Sequence, residues 1–257
     1  MELTVLGKSP AWADAGGACS GYLVQDDGST VLLEAGNGVF AKLRARVDFA
    51  SVDAVLISHM HADHILDLVP FAYGLTLSPR LDAEGDARPV PTLYVPPGGR
   101  KALRALTGAW ESEDLIESAF AIVEYDPVET VAVGSLRFNF REVPHFTQTF
   151  AIEATSVRGG GRITYGADCR ADEALVEFAR STDVMLLEAT LLEADPDPEA
   201  GHMTAAEAGE QAQRAGARRL VLTHFSDELD AERMRRDAGE SFDGPLELAQ
   251  EGAVYSV

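Results

Sequence analysis

The sequence predicts an α/β protein whose two β-rich halves carry their helices on the outside. Three observations support this. Short apolar runs of strand length alternate with helix-length stretches along the 257 residues. The succession repeats its theme in a second half. No linker, low-complexity segment or fixed-period repeat interrupts it. A chain of this length can bury a substantial core, or two half-cores under one roof, so residues 1–257 are expected to form a single domain.

The elements follow in order. Strands are expected over 2–6, 20–25 and 30–35, the last two joined by Asp26-Asp27-Gly28, a hairpin turn signal. A helix over 38–46 and a strand over 53–58 come next. They lead to a helix over 62–77, a polar, Pro-bounded exposed loop over 80–91, a strand over 92–95, a helix over 98–108 and a strand over 119–124. The second half has strands over 129–133, 136–143, 149–157 and 162–167, a helix over 171–180 and a strand over 183–189. A helix over 204–216 starts at Thr204, with Glu207 three residues on as a capping box. Strand 219–224, a helix near 228–238 and strands over 246–250 and 253–256 close the chain. Pro96-Pro97-Gly98-Gly99-Arg100-Lys101 could cradle a phosphate at a helix N-terminus. Pro and Gly equally serve to start a helix, and no Walker-type spacing is present, so the structural role is preferred.

Between the strand over 53–58 and the helix after it lies Ser58-His59-Met60-His61-Ala62-Asp63-His64. One histidine there would be an ordinary capping residue. Three imidazoles and a carboxylate crowded onto one strand-to-helix turn are how a protein builds a metal site. These donors suit zinc, manganese or iron, and four so close can hardly all face one tetrahedral ion, which points to two ions side by side. Downstream, His145, Asp168 and His224 each end an apolar strand-like run. Singly each is an ordinary structural group, and what gives them weight is that their order matches the remaining ligand positions of a known family.

On these residues the chain resembles the metallo-β-lactamase superfamily over essentially its whole length, in the ribonuclease Z-like and phosphodiesterase branch of metal-dependent hydrolases. The resemblance implies a four-layer αββα sandwich. It also implies that His59, His61 and His145 hold one metal, that Asp63, His64 and His224 hold the other, and that Asp168 bridges them. Gly201-His202-Met203-Thr204 is similar to a segment of that branch whose histidine reaches the reacting phosphate, so His202 joins Asp63 as a catalytic candidate. Leu33-Glu34-Ala35-Gly36 occupies the place where many relatives carry Asp-Cys-Gly; Glu34 is a candidate for orienting a ligand imidazole from behind. Flavodiiron members resemble H-x-E-x-D-H, whereas His61 is an imidazole, which disfavours redox chemistry.

The cofactors expected are two divalent ions, zinc first, with manganese or iron as alternatives. The chemistry is a metal-bridging hydroxide, formed from a shared water whose pKa falls from 15.7 to about 7. A small phosphodiester such as a cyclic nucleotide is the preferred substrate. Ribonuclease Z-type tRNA 3′ cleavage and lactone or thioester hydrolysis are the alternatives. The charge of −21, from 42 acidic and 21 basic residues, argues against long nucleic acid as a partner. The 23 positions from His145 to Asp168 leave no room for the tRNA-gripping arm of ribonuclease Z enzymes. A small anionic substrate stays compatible with that charge, because divalent cations dominate the local field. The resemblance leaves a homodimer open. Cys19 and Cys169 give no disulfide framework and suit a reducing compartment; Cys169 is expected to point away from the metals. With no 18-residue apolar stretch and no basic-then-apolar N-terminus, a soluble cytoplasmic protein without membrane contact is expected.

Overall fold

The computed structural model describes residues 1–83, 88–197 and 199–257. The first sheet holds β1 (Glu2–Gly7), β2 (Gly21–Asp26), β3 (Ser29–Leu33), β4 (Ala54–Leu56), β5 (Thr92–Val95), β6 (Ala121–Glu124) and, from the chain's end, β14 (Val254–Ser256), in the order β14-β1-β2-β3-β4-β5-β6. The second holds β7 (Val131–Val133), β8 (Leu136–Val143), β9 (Thr149–Ser156), β10 (Arg162–Tyr165), β11 (Val184–Glu188), β12 (Leu220–Thr223) and β13 (Leu246–Leu248), in the order β13-β12-β11-β10-β9-β8-β7. Each sheet is antiparallel on one side and parallel on the other, the change falling at β3 and at β10. The parallel strands β4, β11 and β12 are buried along their whole length, because both faces are covered.

Helices cover the outer faces. Against the first sheet lie α1 (Val39–Arg44), α2 (Ala62–Ile65), α3 (Leu68–Leu77), α4 (Pro79–Ala83), α5 (Gly99–Gly108) and α6 (Leu115–Ala119); against the second lie α7 (Glu173–Phe178), α8 (Ala205–Ala215) and α9 (Ala231–Gly239). A third apolar cluster fills the space between the sheets, with Leu3, Tyr22, Val31, Phe138, Ile152 and Val221 among its members. The result is the αββα sandwich expected. The Asp27-Gly28 turn adopts positive φ at both residues, as a tight hairpin requires. Thr204 and Glu207 exchange both bonds of the capping box. At the start of α5 the Arg100 amide donates to Glu124 at 3.1 Å, so a carboxylate occupies the place where a phosphate would sit.

Three expectations need correction. The helix over 62–77 is two helices: the Asp67 carboxylate turns away to accept from Phe40 N at 2.7 Å, and Pro70 has no N–H to continue a ladder through Leu66. The strand over 119–124 starts at Ala121, since Leu115–Ala119 forms a helical turn packed on α3. Part of the loop over 80–91 is helical, from Pro79 to Ala83, while residues 84–87 of that expectation lie outside the described residues.

Candidate metal centre

The donors meet because they leave the same ends of strands from both sheets. The motif follows β4, and three isolated positions follow the C-terminal ends of β8 (His145), β10 (Asp168) and β12 (His224). Carboxyl ends of parallel strands are where such sheets present their sites. Close backbone contacts hold this rim together. Ala35 N donates to His64 O at 2.8 Å, and across the sandwich Phe150 N donates to Ser58 O at 3.2 Å. Gly36 has to be glycine, as a Cβ there would lie 2.0 Å from the Asp63 carbonyl oxygen.

Four donor groups result among the described residues, two of them built only from the expected ligands. His59, His61 and His145 form one; Asp63, His64, Asp168 and His224 form the other, with one donor atom from each residue within 4.8 Å of the rest of its cluster. His145 Nε2 lies 3.1 Å from His61 Nδ1. In the second cluster His64 Nε2 lies 3.4 Å from Asp63 Oδ2 and 3.3 Å from Asp168 Oδ2, and His224 Nε2 lies 3.1 and 3.2 Å from the same two oxygens. A tetrahedral ion about 2.0–2.1 Å from each donor needs donors roughly 3.3 Å apart, so the spacing fits a divalent metal. Asp168 Oδ2 is also 3.8 Å from His59 Nε2, placing this carboxylate between the two clusters. Among the described residues, His59 Nε2, His64 Nε2 and Asp168 Oδ1 are buried without a hydrogen-bond partner. Buried polar atoms left this way are costly unless an ion satisfies them.

The electrostatics agree. Burial pushes His145 down to about 4, and burial with the neighbouring His64 pushes His59 well below the usual imidazole value, so both present the neutral form that binds metal. His64 is opposite. Burial alone would lower it, but Asp168, Asp63 and Glu34 outweigh burial and raise it well above normal. Three carboxylates around one imidazole draw positive charge to this spot, which a proton or a divalent ion can supply.

His59, His145 and His224 each have the other ring nitrogen hydrogen-bonded from behind, while His64 Nδ1 has only a carboxylate oxygen nearby. Ser58 Oγ meets His59 Nδ1 at 2.9 Å, the Gly201 carbonyl meets His145 Nδ1 at 2.7 Å, and Thr190 Oγ1 meets His224 Nδ1 at 2.9 Å. Glu34, fully buried at the end of β3, places Oε2 3.4 Å from His64 Nδ1 while its Oε1 accepts from Ser58 N. The longer side chain thus reaches the imbalance it has to meet. His202 belongs to neither of these two clusters but joins two further donor groups, one with His145 and Asp168 and one with Glu188 and His224; its ring is 4.9 Å from that of His145 and 5.7 Å from that of His224. Its Nδ1 bonds Glu188 Oε1 at 2.8 Å.

Glu188 and Thr190 were absent from the sequence expectations, and Gly201 appeared there only as part of the His202 motif, without a role for its carbonyl. Only Glu188 carried a signal: a single charge ending the all-apolar run Val184–Leu187, which burial would force to find partners. It is 1% exposed and also accepts from the Cys169, Thr190 and Met203 amides. Cys169 itself packs into the apolar layer under α7 and α8, although the strand alternation from which its orientation was expected has already ended at Tyr165. Glu34, Ala167 and His224 all have φ between 50° and 62°, a left-handed backbone at three strand ends beside the donors.

Fold and donors together define a metal-dependent hydrolase of the metallo-β-lactamase fold. A sequence profile of the Beta-lactamase superfamily domain matches residues 29–225, and the chain belongs to that superfamily. It is 27% identical over 255 residues to the probable metallo-hydrolase YhfI of Bacillus subtilis, covering 99% of each chain. The crystal structure of YhfI superposes with a TM-score of 0.86, again over 99% of both chains. A ribonuclease Z of Kineococcus radiotolerans is 29% identical over 88% of this chain and 83% of its own length. A diphosphatase of the PhnP family, 20% identical, shares the fold with a TM-score of 0.75 over 100% of this chain and 97% of its own.

Glu34→Ala removes the partner of His64 Nδ1 without touching a donor atom. Divalent-metal affinity, measured by competition with a chromophoric chelator, should fall about 10–100-fold, the usual effect of such outer partners. Unchanged affinity would show that His64 needs no orienting carboxylate.

Proposed function

We propose that the protein is a phosphodiesterase that hydrolyses small phosphodiesters such as cyclic nucleotides, with two divalent ions, zinc by preference, held by His59, His61 and His145 on one side and by Asp63, His64 and His224 on the other, Asp168 between them. When bound, such a pair supplies an activated water and neutralises charge on the phosphoryl oxygens. The chain's residues do the rest. Asp63 and Asp168 contribute the negative charge that retains the ions. His202 is the observation that carries the reading. It stands beside the rim without belonging to either main cluster, and Glu188 fixes its Nδ1, so Nε2 is the nitrogen free to meet the substrate. There an imidazolium can stabilise developing charge or protonate the leaving alkoxide. The ribonuclease Z relative at 29% identity supports phosphodiester chemistry over carboxylic ester or lactone hydrolysis.

Against long RNA stand the charge of −21 and the shape of the segment between His145 and Asp168. The strands β8 and β9 pair from Leu136↔Ser156 to Val143↔Thr149, and β9 returns into β10 through residues 157–161 alone. No arm projects there. Among the described residues no helix is long and apolar enough to cross a membrane.

Elemental analysis should find close to two divalent ions per chain. His61→Ala or His145→Ala should lose mainly one, and Asp168→Ala should weaken both. Fully active wild-type protein holding at most one ion would overturn the two-ion assignment.

His202→Ala should keep its metal content and melting temperature while the chemical step slows roughly 10²–10⁴-fold, the scale of acid–base help. A metal-poor variant would instead make His202 a ligand, the role its proximity to His145 and Asp168 allows.

The substrate class is tested by comparing kcat/KM for 2′,3′- and 3′,5′-cyclic nucleotides, bis(p-nitrophenyl) phosphate, precursor tRNA and a lactone at one salt concentration. Small diesters should turn over readily and stop with chelator, and precursor tRNA should be cleaved slowly. Efficient, accurate tRNA 3′ cleavage without small-diester turnover would make the protein a ribonuclease Z. Turnover of the lactone alone would make it a carboxylic ester hydrolase.

A further inference from the structure

Phe146 follows His145 directly and is 65% exposed, a large apolar ring left in water beside the metal donors. Its position is built. The ring centroid lies 5.1 Å from that of His145 and 5.7 Å from that of His202. It also lies against Gly201, where a Cβ would come within 2.7 Å of the ring. Gly201 is the residue whose carbonyl engages His145 Nδ1, so one short contact seats the phenyl ring and orients the imidazole together. The ring therefore borders the rim on the side of the proposed proton donor. Beyond it lies a shallow, solvent-open depression bordered by Glu142, Pro144, Phe146, Thr147, Gln148 and Asp172.

We propose that Phe146 is a stacking platform for the base of the substrate, which makes the preferred ligand a nucleoside phosphodiester. The proposal rests on the phosphodiester reading for the ligand's phosphate. In a cyclic nucleotide only the sugar separates the phosphorus from the base, so a phosphate at the donors brings the base to the neighbouring rim. A neutral aromatic base can stack on an exposed phenyl ring whatever its sequence identity, because every base has a π face. The acidic surroundings suit this division, since the ions attract the phosphate while the uncharged base lies outward near Asp172. Thr147 and Gln148 border the same depression and offer donors and acceptors to base edges.

Equilibrium binding tests this without turnover. Calorimetry on zinc-loaded protein compares adenosine 5′-monophosphate with ribose 5-phosphate, which share the phosphate and sugar and differ in the base. Wild type should prefer the adenosine ligand by roughly 10-fold or more, a typical effect of one stacked base. Phe146→Ala and Phe146→Leu should collapse that ratio, while Phe146→Tyr and Phe146→Trp should retain it. The leucine variant keeps an apolar side chain, so its result separates stacking from simple burial. A wild-type ratio near one, or an undiminished ratio in the alanine and leucine variants, overturns the proposal. A Phe146-dependent ratio in a protein that hydrolyses no phosphodiester would remove the proposed function and leave the platform standing. Phosphodiester turnover with a Phe146-independent ratio would do the reverse.

Discussion

A carboxylate removed from water has to be compensated in place, and Asp168 is where the whole rim answers to that constraint. It is 1% exposed, and its Oδ2 has His59, His64 and His224 within 3.8 Å. Those three imidazoles come from both sheets: two from the turn after β4, one from the end of β12. The distance between the sheets is therefore fixed twice, by the apolar cluster that fills the sandwich and by the charges at its edge. Burying Phe138 or Leu186 completely contributes about 1.5–3 kcal/mol each, and the aggregate of such residues is what keeps ionic groups so close together.

The partners behind the donors extend the same logic outward. Ser58, Thr190 and the Gly201 carbonyl each hydrogen-bond one ring nitrogen, so for three histidines the nitrogen facing inward is decided before any ion arrives, and Glu34 places a carboxylate oxygen 3.4 Å from the outer nitrogen of His64. Glu188 hydrogen-bonds His202 and also collects three backbone amides. One buried carboxylate thereby joins the end of β11, the Asp168 loop and the segment entering α8. The proposed catalytic histidine is thus as firmly placed as the donors.

What the sequence disclosed and what it concealed divide by range. The histidine motif, the Asp27-Gly28 turn and the Thr204–Glu207 box are local, their partners lying within six residues, and all three were legible. The alternation of strands and helices was legible too, because burial on both faces gives continuous apolar runs such as Val184–Leu187. The break between α2 and α3 was hidden, since Asp67 answers to the amide of Phe40, 27 residues earlier. The roles of Glu188, Thr190 and the Gly201 carbonyl were hidden for the same reason: their histidine partners lie 14, 34 and 56 positions away. The downstream positions His145, Asp168 and His224 could be placed only through their family resemblance, each being unremarkable on its own.

The left-handed backbone at Glu34, Ala167 and His224 has a consequence for how such a protein can change. None is glycine, and residues with a Cβ in that region carry strain of roughly 1–3 kcal/mol when the surroundings enforce it. The fold is consequently less stable than its composition would permit, and the difference resides where side chains must leave a strand end at an unusual angle. Selection for thermostability alone would relax these turns first, and with them the aim of the donors. Robustness and activity draw on the same few peptide units here, so a more durable version of this chain has to gain its stability far from the rim, on the helices and in the layers beneath them.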